Sequence, residues 1–203
     1  DTRPARRGCL HDGEGEEVKV IILGSVLALG GVEQHMLNLA IGLQRLGHEP
    51  HILGLVDAGG FRKLREWADP NRRIPVTFMP PGAAPSALWS EVQAYGPAVV
   101  NAQLPMPEGA LDHLGKPCVL TAHGRFSLAE PLPLRCPLVC LDGRVYEDAR
   151  RLTEGAPVHL IWNGVDTERF SFRWPARGND RQGIAYVGRW DEPKLAGLRM
   201  LPQ

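Results

Sequence analysis

The sequence has no excess of charge of either sign and no long apolar run. Its 203 residues contain 23 lysines and arginines against 23 aspartates and glutamates, so the formal net charge is zero. Balanced charge gives no general attraction to nucleic acid or anionic lipid. No apolar run reaches the ~20 residues that a membrane-spanning helix needs, and the start lacks the apolar stretch of a signal peptide. We therefore expect a soluble, cytoplasmic protein with no nucleic-acid partner and no transmembrane segment. Peripheral contact with a membrane stays an alternative.

Cysteines are few, and their spacing does not suit a metal site. Cys9, Cys118, Cys136 and Cys140 form no C-x2-C pair, and the C-x3-C of the last two has no second pair at metal spacing. Cys118 and Cys140 lie in apolar, strand-like runs, which predicts buried and inert thiols. The sequence favours a protein without a metal or a disulfide, in a reducing compartment.

Apolar segments of two kinds alternate between residues 18 and 162. Short continuous runs, such as residues 18–23, predict strands buried on both faces. A turn is predicted over residues 24–31, where glycines follow the first run. Spacings of three and four between apolar residues 32–46 then predict an amphipathic helix. Further strands are predicted at 50–56, 76–79, 98–102, 118–122, 138–141 and 158–162, and further helices at 61–68, 86–95, 108–114 and 144–152. Because strands separated by helices pair in parallel through right-handed crossovers, we predict an α/β fold with a Rossmann-like, doubly wound parallel sheet.

The alternation stops at both ends of the chain. We predict a flexible tail at residues 1–17, which are rich in Arg, Gly, Asp and Glu. The Rossmann-like domain is predicted at residues 18–162, and a connector follows it at residues 163–182. Residues 183–203 hold one predicted strand and one predicted helix, which cannot bury their apolar faces alone. They predict the truncated start of a second domain, and its unpaired strand could pair with a second copy to give a dimer.

Three groups of residues follow predicted strands, where a doubly wound sheet binds its ligands. Gly30 and Gly31 begin the first helix, whose free amides suit a phosphate or a sugar hydroxyl, although a tight turn explains them equally well. His123 could donate a hydrogen bond to a substrate hydroxyl, although a lone histidine is more often structural. Arg189 and Lys194 could clamp a diphosphate, although two solvated charges are the simpler explanation.

Motifs of several other enzyme classes are absent. The sequence has no G-x-G-x-x-G, which disfavours a nicotinamide-dependent oxidoreductase. It also has no G-x-S-x-G, H-E-x-x-H or C-x-x-C. These absences leave the three groups above as the candidate site.

Four short motifs occur in a fixed order along the chain. They are G-G-V-E at 30–33 with L-G-H-E at 46–49, V-L-T-A-H-G at 119–124, I-W-N-G-V-D at 161–166, and Y-V-G-R at 186–189 with Lys194. Together they resemble the GT4 family of retaining glycosyltransferases with the GT-B fold, although Trp162 replaces the usual proline. The resemblance covers about residues 18–198.

The resemblance implies an enzyme of the hexosyltransferase type that moves a sugar from a nucleotide-diphosphate sugar to an acceptor, with retention and without a metal. Gly30 and Gly31 would place amides near the donor diphosphate and the reacting sugar. His123 would contact the transferred sugar from the acceptor-side domain. Arg189 and Lys194 would neutralise the leaving diphosphate.

The sequence departs from the family in one respect that concerns activity. The E-x7-E carboxylates, which hold the donor in this family, do not occur, and the nearest pair, Glu147 and Glu154, has six intervening residues. We therefore expect the chain alone to be inactive or nearly so. A non-catalytic Rossmann-like module that binds a ligand or a partner, with a structural His123, stays the alternative.

Overall fold

Strands and helices alternate through the part of the chain that the structure describes. The computed structural model describes residues 16–80, 82–96, 98–104, 116–124, 132–133, 136–154 and 156–165. In chain order the elements are β1 (Lys19–Leu27), α1 (Gly31–Arg45), β2 (Glu49–Asp57), α2 (Phe61–Ala68), β3 (Val76–Phe78), α3 (Pro85–Ala94), β4 (Val99–Leu104), β5 (Cys118–Ala122), β6 (Leu132–Pro133), β7 (Leu138–Cys140), α4 (Gly143–Leu152), β8 (Thr153–Glu154) and β9 (Val158–Leu160).

Seven of the strands form one parallel sheet in the order β3-β2-β1-β4-β5-β7-β9. The strand order changes direction at β1, because β2 and β3 lie on one side of it and β4 lies on the other. In such sheets the carboxyl ends of the strands at the change of direction border the ligand crevice. The predicted α/β, Rossmann-like fold is confirmed. The two-residue strands β6 and β8 pair separately and were not predicted.

Strand β1 is continuously apolar from Val20 to Leu23 because both faces of this part of the strand are covered. Ile21 and Leu23 belong to a core that includes residues of β4, β5, α3 and α4. Val20 and Ile22 face the opposite side and pack with residues of α1 and α2. This two-sided burial is the physical reason for the continuous apolar run in the sequence.

Helix α1 ends where the sequence predicts. Gly47 has a φ of +84°, a conformation that glycine adopts without strain. Its amide donates to the carbonyl of Gln44, and the amide of His48 donates to the carbonyl of Leu43. These bonds satisfy carbonyls of the last helical turn.

The first strand is longer than predicted, which corrects the expectation of a turn over residues 24–31. Strand β1 runs to Leu27 and keeps its pairing with β2 there. Gly24 therefore lies inside the strand, and a Cβ at this position would be 2.7 Å from Leu27 Cδ2 and 2.9 Å from Met36 Cε. The lack of a Cβ at residue 24 gives room to the side chains of Leu27 and Met36, which pack against it, so this glycine does not form part of the turn.

Several predicted segments lie outside the described residues. These are the tail up to residue 15, the helix at 108–114, most of the connector, and the strand and helix of residues 183–203. The chain divides into two units, residues 1–163 and residues 164–203. Among the described residues, no helix combines the length and apolar character that crossing a membrane requires.

Candidate functional site

The candidate site lies where the carboxyl ends of β4 and β5 approach α1. Gln103 pairs in register with Thr121, and Leu104 pairs with Ala122, so the two strands end side by side. His123 follows β5 directly and is half-buried. The predicted position of His123 at the edge of the sheet is therefore correct.

His123 contacts a second histidine that the sequence analysis did not single out. Its ring meets the ring of His35 edge to face, with centroids 4.9 Å apart and an interplanar angle of 79°. His35 lies on α1, one helical turn after Gly31. The structure thus brings His123 beside the first turns of α1, near the helix start that holds the two candidate glycines.

A second contact fixes the His123 ring from the side of the sheet. The Nε2 atom of His123 lies 2.6 Å from Oε1 of Gln103. Gln103 is only 2% exposed, and its Nε2 donates to Oδ1 of Asn101. Nδ2 of Asn101 in turn donates to Oγ1 of the buried Thr121 at 3.1 Å. We call Thr121, Asn101 and Gln103 the amide ladder.

Sequence reasoning missed the amide ladder, although a signal for it exists. Asn101 and Gln103 are two polar residues spaced by two in the strand V-V-N-A-Q-L. This spacing places them on the same face of the strand. Buried polar side chains need hydrogen-bond partners, so the pattern indicates a buried polar network that leads to the edge of the sheet.

His35 is held by a residue from the far end of the described chain. Its Nδ1 lies 2.9 Å from Oδ1 of Asn163, which follows β9. The two imidazoles thus each have one ring nitrogen bonded to a side-chain amide, His123 to Gln103 and His35 to Asn163. Each ring is therefore held by a hydrogen bond to a third residue, in addition to the contact between the two rings.

Both histidines favour the neutral form. Burial lowers the pKa of His123 to about 4, and the neighbouring His35 contributes to the shift in the same direction. Burial also lowers the pKa of His35, against the opposing effect of the hydrogen bond to Asn163. At neutral pH each ring therefore carries a single N–H and no charge.

Gly30 and Gly31 lie in two different environments. A Cβ at Gly30 would lie 2.7 Å from Oε2 of Glu33, whereas a Cβ at Gly31 would have no neighbour within 4 Å. Glu33 is 6% exposed, and its Oε1 accepts a hydrogen bond of 3.0 Å from the amide of Ala28. Gly30 therefore makes room for a carboxylate, and Gly31 leaves open space at the start of the helix.

The start of α1 has no side-chain cap, and a negative charge lies close to its first amides. The N-cap residue Gly30 provides no side-chain acceptor, so the first amides of the helix have no capping partner on that residue. The carboxylate of Glu33 interacts favourably with the positive end of the helix dipole. It also opposes the approach of a second anion, so an uncharged hydroxyl fits here better than a phosphate.

The other candidate residues, Arg189 and Lys194, lie outside the described residues. Within the described ranges, no group of three or more His, Cys, Asp or Glu side chains could hold a metal ion. Cys118, Cys136 and Cys140 are free thiols. Cys118 and Cys140 are buried, as predicted. Burial raises the pKa of Cys118 to about 12 and that of Cys140 to about 11, which favours the less reactive thiol form.

Comparison with known protein families identifies a match for most of the described chain. A family model described as Glycosyltransferase Family 4 matches residues 29–169, which is more than half of the chain. The matched span includes Gly30, Gly31 and His123 and ends before Arg189. No curated protein and no solved structure matches the chain.

Proposed function

The chain belongs to glycosyltransferase family 4, and we propose that it forms the acceptor-side half of a retaining, metal-independent enzyme of the GT-B type. Such an enzyme transfers a sugar from a nucleotide-diphosphate sugar to an acceptor. The main support is the placement of His123 at the carboxyl edge of the sheet, half-exposed and against His35 of α1. This is the edge at which a doubly wound sheet binds its ligands.

His123 contacts the transferred sugar in this proposal. Its low pKa makes the ring neutral, so it forms directional hydrogen bonds and does not attract a diphosphate by charge. A neutral imidazole has one donor and one acceptor nitrogen, which suits the hydroxyl groups of a sugar. The amide ladder holds the ring in place, so little ordering is needed when the sugar binds.

The exposed amide at Gly31 is the second contact to the donor. The open space there lets a ligand approach the backbone closely. Since the Glu33 carboxylate already occupies the helix start, we assign this amide to a hydroxyl of the reacting sugar and place the diphosphate farther from Glu33.

Arg189 and Lys194 neutralise the leaving diphosphate in place of a metal, and this assignment rests on the family resemblance. The E-x7-E pair that holds the donor in the family does not occur in these 203 residues. We therefore expect the chain by itself to bind nucleotide sugars weakly and to turn them over negligibly. The free thiols at residues 118, 136 and 140 support a reducing compartment such as the cytoplasm.

Calorimetric titration with UDP- and GDP-sugars tests the proposal. We expect weak binding that needs the diphosphate and that is lost in Arg189→Ala. Arg62→Ala, which removes an exposed arginine from α2, is the matched control and should bind like the wild type. Absence of binding in the wild type would favour the non-catalytic module instead.

An activity assay tests the second half of the proposal. The purified chain is incubated with UDP- and GDP-sugars in the presence of a chelator, and released nucleotide diphosphate is measured. We expect no turnover above background. Turnover by the chain alone would contradict its expected inactivity, and loss of that turnover in the chelator would contradict the metal-independent mechanism.

A further inference from the structure

The hydrogen bonds of the amide ladder all point the same way along the ladder, and this order includes the bond to His123. Each carboxamide in it donates through its nitrogen toward Thr121 and accepts through its oxygen on the other side. The nitrogen of Asn101 donates to Thr121, and the nitrogen of Gln103 donates to the oxygen of Asn101. The oxygen of Gln103 is therefore the atom that faces the ring of His123, at 2.6 Å from Nε2.

A carboxamide oxygen can only accept a hydrogen bond, so the ring nitrogen that faces it must carry a proton. A neutral imidazole has only one N–H, and the state of the second nitrogen follows from the position of the first. With the proton on Nε2, Nδ1 is left with a free lone pair.

We propose that Asn101 and Gln103 are positioning residues that hold neutral His123 as the Nε2–H tautomer, so that its Nδ1 accepts a hydrogen bond from a substrate hydroxyl. This proposal rests on the proposed function for the identity of the hydroxyl. It reverses the direction expected from the sequence, in which the imidazole donates.

The direction of this hydrogen bond restricts what His123 can recognise. A sugar or acceptor hydroxyl can donate to Nδ1, whereas an ionised phosphate oxygen only accepts and finds no donor there. The ladder thus makes His123 selective for hydroxyl groups over phosphate oxygens. The selectivity depends on residues that themselves lie in the sheet, with Gln103 almost fully buried.

The tautomer can be read directly by NMR of the full chain labelled with ¹⁵N-histidine at neutral pH. The signals of His123 are assigned by their loss in His123→Gln. We expect a pyrrole-like shift for Nε2 and a pyridine-like shift for Nδ1. The opposite pair of shifts would overturn the proposal, because it would mean that every amide in the ladder is turned around.

Two substitutions at Gln103 separate positioning from simple packing. Gln103→Leu keeps a similar volume but removes the acceptor, and we expect a mixture of the two tautomers. Gln103→Glu keeps an acceptor toward Nε2, since Asn101 can turn its amide and Thr121 can donate to it, and we expect the Nε2–H tautomer with a raised pKa of His123. Gln44→Leu, the same change at an exposed glutamine of α1, should leave the spectrum of His123 unchanged.

An unchanged tautomer in a folded Gln103→Leu would also overturn the proposal. If circular dichroism shows that this variant does not fold, the wild-type shifts and those of Gln103→Glu decide. The measurement needs no donor or acceptor, so failure of nucleotide-sugar binding does not affect it. Conversely, a wrong tautomer would leave the sugar-binding result standing.

Discussion

The rings of His35 and His123 meet edge to face with their centroids 4.9 Å apart, which joins helix α1 to the end of strand β5. Both rings favour the neutral form, and His35 contributes to the low pKa of His123. Two charged imidazoles at this separation would repel each other in a half-buried environment. The pair therefore tolerates protonation of one ring better than protonation of both.

The first prediction concerns this pair. His35→Ala admits solvent to the His123 ring and removes an imidazole that would become charged as the pH falls, so both causes of the low pKa weaken. We expect the pKa of His123 to rise from about 4 toward its ordinary value near 6.5. An NMR titration of His123 measures the change. His159→Ala, at an exposed position of β9, is the control, and an equal shift in that variant would contradict a specific interaction with His35.

The second prediction concerns stability at acid pH. Burial lowers the pKa of His51 to about 4, as it does for His123, whereas both titrate near 6.5 in the unfolded chain. Between these values the unfolded state binds more protons, so the free energy of unfolding falls as the pH falls from about 6.5 toward 4. Each ring contributes at most about 1.4 kcal/mol per pH unit, and less where solvent reaches it.

Urea unfolding at several pH values checks this dependence. His51→Asn should make the free energy of unfolding less dependent on pH over that window, because one of the histidines with a lowered pKa is gone. His159→Asn removes an exposed histidine and should leave the dependence unchanged. A stability that is constant between pH 7 and 4.5 would refute the prediction.

The third prediction separates the two glycines. Gly30→Ala places a methyl group 2.7 Å from Oε2 of Glu33, and this carboxylate is held by the amide of Ala28. We expect a loss of about 1–3 kcal/mol in the free energy of unfolding, as in other overpacked sites. Gly31→Ala meets no neighbour within 4 Å and should leave stability unchanged or raise it by up to about 1 kcal/mol.

A binding experiment tests the role of Gly31 separately from its effect on stability. Since the Gly31 amide is assigned to a sugar hydroxyl, Gly31→Ala should weaken nucleotide-sugar binding while the protein stays stable. Equal stability of the two variants would show that Glu33 moves aside at no cost, contrary to the role assigned to Gly30.

The fourth prediction concerns the charge of Glu33. Glu33→Gln keeps an oxygen that can accept from Ala28 but removes the negative charge beside the helix start. We expect the affinity for a nucleoside diphosphate to rise several-fold and the free energy of unfolding to fall by about 0.3–1 kcal/mol, because the interaction with the helix dipole is lost. Calorimetry and urea unfolding measure the two effects. Glu66→Gln, an exposed glutamate of α2, should not change the affinity.

The order of the elements could be predicted from the sequence because each signal is local. The bounds of α2 and β5, Phe61–Ala68 and Cys118–Ala122, agree with the prediction. In both segments the spacing of the apolar residues indicates which side chains are buried and whether the backbone is a helix or a strand. The position of His123 could be predicted in the same way, since it follows directly from the end of an apolar strand.

Contacts within the site could not be predicted, because they join residues that are far apart in the chain. His35 and Asn163 are separated by 128 positions, and no local period connects them. The turn before α1 was predicted too long because Gly24 looks like a turn residue, whereas the packing of Leu27 and Met36 against it explains the glycine.

The sequence by itself determined that this chain alternates strands and helices, that the apolar run of β1 is buried on both faces, and that a histidine follows β5. Hydrophobic burial and backbone periodicity act over a few neighbouring residues, so a short segment of sequence is enough to predict them. Only the tertiary structure decided that His35 meets His123 and that Asn163 reaches His35. The crossovers between parallel strands bring these distant segments together, and the polar groups they enclose must then pair with one another.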